Sequence, residues 1–241
     1  MNEHKLIPAL ILGLAFVAGA LVFGLFYHSA QSKIAATDIL SVTGSAKARV
    51  TSDQAKLVIT ISRLVPVSDL AGGYSGIAHD LILANGLLKK ENVPANEIVA
   101  GPIAMNQMYD QNNGSETRYQ LTQTLTVQDN DVAKVTKISQ AIPSLAAQGA
   151  IMSVQSLEYY YSKLPDLRVS LLSDAVKDAK ARAAKIAEGT GRGIGDVQSA
   201  SNGVVQVLSP NSVDISDYGS YDTSNVDKDV MVTIKASFRL K

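Results

Sequence analysis

Val230-Met231-Val232-Thr233-Ile234-Lys235-Ala236-Ser237-Phe238-Arg239-Leu240-Lys241 closes the chain with a strict period of two. Val230, Val232, Ile234, Ala236, Phe238 and Leu240 stand on one side, and the polar positions and Met231 stand on the other. That alternation predicts a strand with one dry face and one wet face, as antiparallel sheets require. The same period recurs at 117–128. There Tyr119, Leu121, Leu125 and Val127 oppose Gln120, Thr122, Thr124 and Thr126. Residues 55–64 alternate too, with Leu57, Ile59 and Ile61 on one face.

Outward from these strands the pattern becomes mixed. Residues 39–50 predict a strand, and Thr51-Ser52-Asp53 supplies turn chemistry toward 55–64, which suggests an opening hairpin. Further strands are predicted at 98–109, 151–161 and 197–208. Asn113-Gly114 marks a hairpin turn between 98–109 and 117–128. A period near 3.6 predicts helices at 69–91 (Leu70, Ile77, Leu81, Ala84, Leu88) and 165–188 (Leu167, Leu171, Ala175, Ala179, Arg182, Ile186). A third is predicted at 131–145, with capping groups at Asp129 to Asp131. Gly72, Gly73 and Gly76 weaken the start of the first helix. Gly189 and Gly191 end the second. Strands and helices do not alternate strictly, so the expected class is α+β, mainly antiparallel sheet with packed helices.

The N-terminus adds one element. Positions 6–27 carry no charge, and as a helix they would span roughly 33 Å, enough for a bilayer core. Leu6, Ile7, Leu10, Leu14, Phe16, Val22, Phe26 and Tyr27 are the expected membrane-anchor residues. A cleaved signal peptide is the alternative, because Ala18-Gly19-Ala20 has a small-x-small form. The apolar run continues past it through Leu21, Val22, Phe23, Leu25 and Phe26, which favours a retained single-pass transmembrane helix. The expected division is an anchor at 1–29, a polar linker at 30–37 and one domain at 38–241.

Composition excludes several functions. Lys plus Arg and Asp plus Glu are both 22 in 241 residues, without a basic patch, so no nucleic-acid partner is expected. Cysteine is absent, which removes disulfides, thiol catalysis and Cys-based metal sites. His79 alone among the three histidines lies in the 38–241 part, on a predicted helix without visible partners. No G-x-S-x-G, H-E-x-x-H or P-loop pattern occurs. Gly189 to Gly195 follows a helix and leads to a strand, the reverse of a Rossmann turn, so it reads as a helix cap. No catalytic, metal or cofactor site is expected.

Two stretches offer an interaction surface instead. Tyr159, Tyr160 and Tyr161 fall on both faces of one strand, so some of this aromatic area must be exposed or covered by a partner. Residues 209–225 form a long loop with Asp214, Asp217, Tyr218, Tyr221 and Asp222, and length without secondary structure suggests binding or assembly. Its aspartates, with Asp227 and Asp229, do not match the calcium-loop spacing.

Two motifs carry a family resemblance. Ile39-Leu40-Ser41-Val42-Thr43-Gly44-Ser45-Ala46-Lys47-Ala48-Arg49-Val50, followed by Ser52-Asp53-Gln54-Ala55, resembles the opening strands of the SIMPL-domain family. Ala175-Val176-Lys177-Asp178-Ala179-Lys180-Ala181-Arg182-Ala183-Ala184-Lys185-Ile186-Ala187 is similar to that family's A-V-x-D-A-x-x-R-A helix, with its glycine-rich exit at Gly191 to Val197. Ser52 stands where the family often has Pro, and the acidic loop is long. The resemblance covers about 38–241. It implies a bacterial envelope protein without established enzymatic activity, linked to stress tolerance and able to form homo-oligomers. The expected function is therefore a non-enzymatic protein of the inner membrane, its soluble domain facing the periplasm and self-assembling into a homo-oligomer such as a ring. The alternative is a monomeric module that captures a partner through the 209–225 loop.

Overall fold

The structure is a computed structural model, and it describes residues 13–27, 38–108 and 117–241. Residues 13–27 form helix α1. Leu14, Phe16, Val22, Phe26 and Tyr27 lie on it and are exposed. Leu6, Ile7, Leu10, the linker and the Asn113-Gly114 turn lie outside the described residues. Among the described residues no helix is long and apolar enough to cross a membrane.

The remaining elements are α+β. Two five-stranded sheets are built mainly of antiparallel pairs, while β8 and β9 pair in parallel. The first contains β2 (Gln54–Pro66), β3 (Ile98–Ala100), β4 (Ala104–Met108), β5 (Arg118–Asp129) and β6 (Met152–Tyr160). Its order is β3-β5-β2-β6, with β4 also on β5. The second contains β1 (Ile39–Thr51), β7 (Ile194–Asn202), β8 (Gln206–Leu208), β9 (Ser220–Tyr221) and β10 (Asp227–Leu240). Its order is β1-β10-β8-β9, with β7 also on β10. The helices are α2 (Leu70–Lys90), α3 (Val132–Ala141) and α4 (Leu164–Gly189).

Two compact units result. The larger, Ser45–Ala175 with Gly203–Thr233, holds the whole first sheet. Its core joins Leu57, Ile59, Leu125 and Val127 of the sheet to Ala84 and Leu88 of α2 and to Val135 and Ile138 of α3. A second cluster gathers Leu164 and Leu171 against Val207, Val230 and Val232. The smaller unit contains Val176–Asn202 and Ile234–Lys241. Here β7 pairs with β10 from Ile234↔Asn202 to Leu240↔Ile194, and Ala179, Ala183, Ala187, Ala236 and Phe238 are buried.

Several expectations change. β1 and β2 do not form a hairpin; they belong to different sheets. The intervening turn gives its amides elsewhere, Ser52 N–H to Val226 O at 2.8 Å and Asp53 N–H to Tyr160 O at 3.0 Å. The strand expected at 98–109 splits into β3 and β4. Pro102 lacks a ladder donor, and Gly101 sits so close to Thr124 that a Cβ would lie 2.8 Å from its hydroxyl. The strand expected at 197–208 splits likewise at Gly203, where a Cβ would collide with the Thr233 hydroxyl. The helix expected through Leu145 ends at Ala141 and continues as a 3-10 turn, Ile142–Gln148, with Pro143 in its first turn. On α4 the buried stripe runs Leu171, Ala175, Ala179, Ala183 and Ala187, so Arg182 and Ile186 are exposed.

Capping follows expectation. The Asp131 carboxylate accepts from Lys134 N–H at 2.9 Å and starts α3. After α4, Gly191 adopts φ +74°, and Arg192 N–H closes back on Ala187 O at 2.9 Å. That is the Schellman-type exit a C-terminal glycine permits.

Candidate functional site

The tyrosine run is an internal seam. Tyr159 is buried, and its hydroxyl lies 3.0 Å from Thr136 Oγ1. Tyr161 packs against the Leu164–Val230 cluster. Tyr160 donates to Glu158 Oε2 at 2.5 Å, and its ring meets that of Tyr221 at 6.1 Å. The bond to Glu158, with partial burial, pushes the Tyr160 phenol up to about 12, and the same bond lowers the Glu158 carboxyl. Tyr160 thus meets the chain's own loop, since Tyr221 belongs to the 209–225 segment, while Tyr160 and Tyr161 stay half-buried.

That segment has a fixed base and a free tip. At its base, β9 pairs in parallel with β8, Gln206↔Ser220 and Val207↔Tyr221. Tyr159 N–H reaches Thr223 O at 2.8 Å. Lys228 is fully buried, and its ammonium donates to Asp222 O at 2.5 Å and Asn225 O at 2.7 Å. Burial lowers the Lys228 pKa, opposed by the charge of Asp222. The Gln206 amide holds Ser216 O at 2.6 Å. Beyond these ties, Val213 is 87% exposed, Ile215 66% and Tyr218 98%. Asp214 and Asp217 are exposed between them. Three large side chains are thus held in water on a braced loop, interleaved with carboxylates.

Asp227 and Asp229 lie just past this loop. Both lie in β10, and Asp229 is 1% exposed. Its carboxylate receives Arg49 Nε at 2.9 Å, Arg49 Nη2 at 3.2 Å, Lys47 Nζ at 2.8 Å and Asn211 N–H at 3.0 Å. Arg49 foremost, then Lys47, holds this carboxyl far below the usual carboxylate range. The Asn211 bond also pins the start of the loop. Periodicity could not reveal this site; the signal was only Lys47 and Arg49 at alternate positions on a strand.

Two further charged clusters are structural in geometry. Arg63 grips buried Asp80 through two bonds of 2.9 and 2.6 Å and also donates to Gly149 O at 3.0 Å. Glu97, Asp129 and Lys134 meet near the start of α3. Burial, then the adjacent Asp129 carboxylate, raises Glu97. Burial works against ionisation of Asp129 as well, but its bonds from Lys134 and Asp131 N–H prevail and lower it. Among the described residues no group of His, Asp or Glu has the arrangement of a metal site.

The family model described as "SIMPL: Protein of unknown function (DUF541)" matches residues 40–238. No curated protein matches the chain significantly. Among solved structures, a hydantoinase/carbamoylase family amidase from Burkholderia ambifaria is similar at 16% identity and a TM-score of 0.26, over 46% of this chain and 29% of that one. An amidohydrolase/peptidase from Burkholderia cenocepacia is similar at 12% identity and 0.26, over 54% and 32%. The chain spans about a third of the length of these structures, and likeness at this level carries no functional argument.

Proposed function

The chain belongs to the SIMPL family, and on that premise we propose that it is a membrane-anchored, non-enzymatic envelope protein that assembles with further copies of itself. The observation that carries assembly is β4. All five of its residues are exposed, none is charged, and its outer edge has no strand partner among the described residues. Met105 and Met108 lie on it, adaptable side chains suited to an interface. Soluble proteins usually guard such an edge with Lys or an inward charge; here only the break at Pro102 and the strand's shortness do so.

Anchoring rests on the uncharged 6–27 stretch, and the soluble part faces the periplasm in this reading. A stress-tolerance role is part of what family membership suggests. The test is the mass of the full-length protein in mild detergent, by light scattering coupled to size exclusion. A discrete multiple of 25.5 kDa that falls on Met105→Lys supports the reading. A monomer at every concentration sinks it. Retention of the chain in the membrane pellet after alkaline extraction supports the anchor, and release refutes it.

A second reading is favoured by the exposed Val213, Ile215 and Tyr218: capture of a partner through the 209–225 loop. Deleting residues 212–218 would then abolish capture while the melting temperature held.

A further inference from the structure

A groove of about 570 Å³ lies on the larger unit, within the size range of recognition pockets. Leu125 and Val93 line its depth, Ala95 and Ile98 its wall, and Asn85 and Lys89 of α2 its rim. Asn85 and Lys89 are four apart and so share one helix face. Neither Lys89 nor Lys90 has an acidic partner among the described residues; the adjacent Glu91 is taken by Lys137 at 2.7 Å. Of Lys89 and Lys90 only Lys89 lines the groove, and its full charge exceeds the partial negative charge of the helix end it sits on, roughly half a unit. The groove is therefore apolar within and positive at its lip. The loop tip is its complement: Ile215 and Tyr218 exposed, with Asp214 and Asp217 beside them and no cation paired to either among the described residues.

We infer that the Val213–Tyr218 tip of one copy seats in the lysine-rimmed groove between α2 and β3 of a second copy. This rests on the self-assembly reading and names a second interface for it, separate from the β4 edge. The braced base of the loop lowers the ordering cost of docking. Tip and groove are different patches, so the contact is head-to-tail and either closes into a ring or runs on as a filament.

The test uses the full-length chain in mild detergent, with mass read by light scattering. Tyr218→Ala spoils the tip and leaves the groove; Lys89→Glu spoils the groove and leaves the tip. All these side chains are exposed, and unchanged far-UV circular dichroism verifies the fold, with Lys89→Gln as a milder second variant. Each variant alone is expected to lose association by about tenfold or more. A one-to-one mixture should regain association, because one intact tip meets one intact groove. Lys89→Glu combined with Asp217→Lys should regain assembly. A wild-type assembly that neither variant weakens overturns the docking and leaves self-assembly standing. A mixture that stays monomeric also overturns it. A wild type that is monomeric throughout removes both.

Discussion

Replacing Asp229 by Asn removes one charge from a densely bonded carboxylate. Asp229 is 1% exposed and accepts four bonds of 2.8 to 3.2 Å, three of them from cations. A bond to a charged group contributes about 1.5–3 kcal/mol. Lys47 and Arg49 each keep about half their side-chain surface in water, so they rehydrate when the carboxylate is neutralised. The asparagine oxygen still accepts from Arg49 and Asn211. The net loss for Asp229→Asn at pH 7 is therefore about 2–3 kcal/mol, a fall in melting temperature of about 5–10 °C for a chain of this size. The pH dependence carries a sign. The folded-state pKa lies below the unfolded value near 3.9, so the stabilisation is complete above about pH 4–5 and is lost as pH falls through the folded value. Thermal melts followed by circular dichroism from pH 7 to pH 2 should show wild type and Asp229→Asn converging toward the acid end. Equal melting at pH 7, or a gap that does not narrow with acid, refutes the reasoning.

Three other perturbations follow from packing. Gly73→Ala places a Cβ 2.8 Å from Leu121 Cδ1 and 2.9 Å from Val65 Cγ2; overpacking of about 1–3 kcal/mol should exceed the helix-propensity gain of about 1 kcal/mol, read as a lower urea midpoint. Asp80→Ala leaves the half-buried Arg63 guanidinium without its carboxylate and should cost about 3–5 kcal/mol by the same measurement. Lys228→Met leaves the Asp222 and Asn225 carbonyls without their buried donor, at about 1–3 kcal/mol, and hydrogen exchange should quicken at residues 222–226 before it does in β2. Unchanged exchange there would show that the ammonium does not brace the loop.

The site was half legible. The length and composition of 209–225 marked a surface loop, and its tip is one. Tyr159, Tyr160 and Tyr161 also stood out, but the pattern could not show that Tyr221 of the loop lies against Tyr160. The groove-forming residues gave no signal, because Lys89, Val93, Ile98 and Leu125 come from separate segments.

What the sequence by itself determined is local. A period of two placed β2, β5 and β10. Helical spacing placed α2 and most of α4, and glycine at 191 ended α4, because each signal depends on neighbours within a turn or a strand. Family membership was also legible there, in the opening strands and the α4 motif. Only the tertiary structure decided that β1 and β2 enter different sheets, that Gly73 is a close-packing position, and that Asp229 is buried. Arg49 and Asp229 stand 180 residues apart, and a carboxylate's burial follows from the cations that folding brings to it. No local pattern encodes that meeting; it follows from which strands share β10.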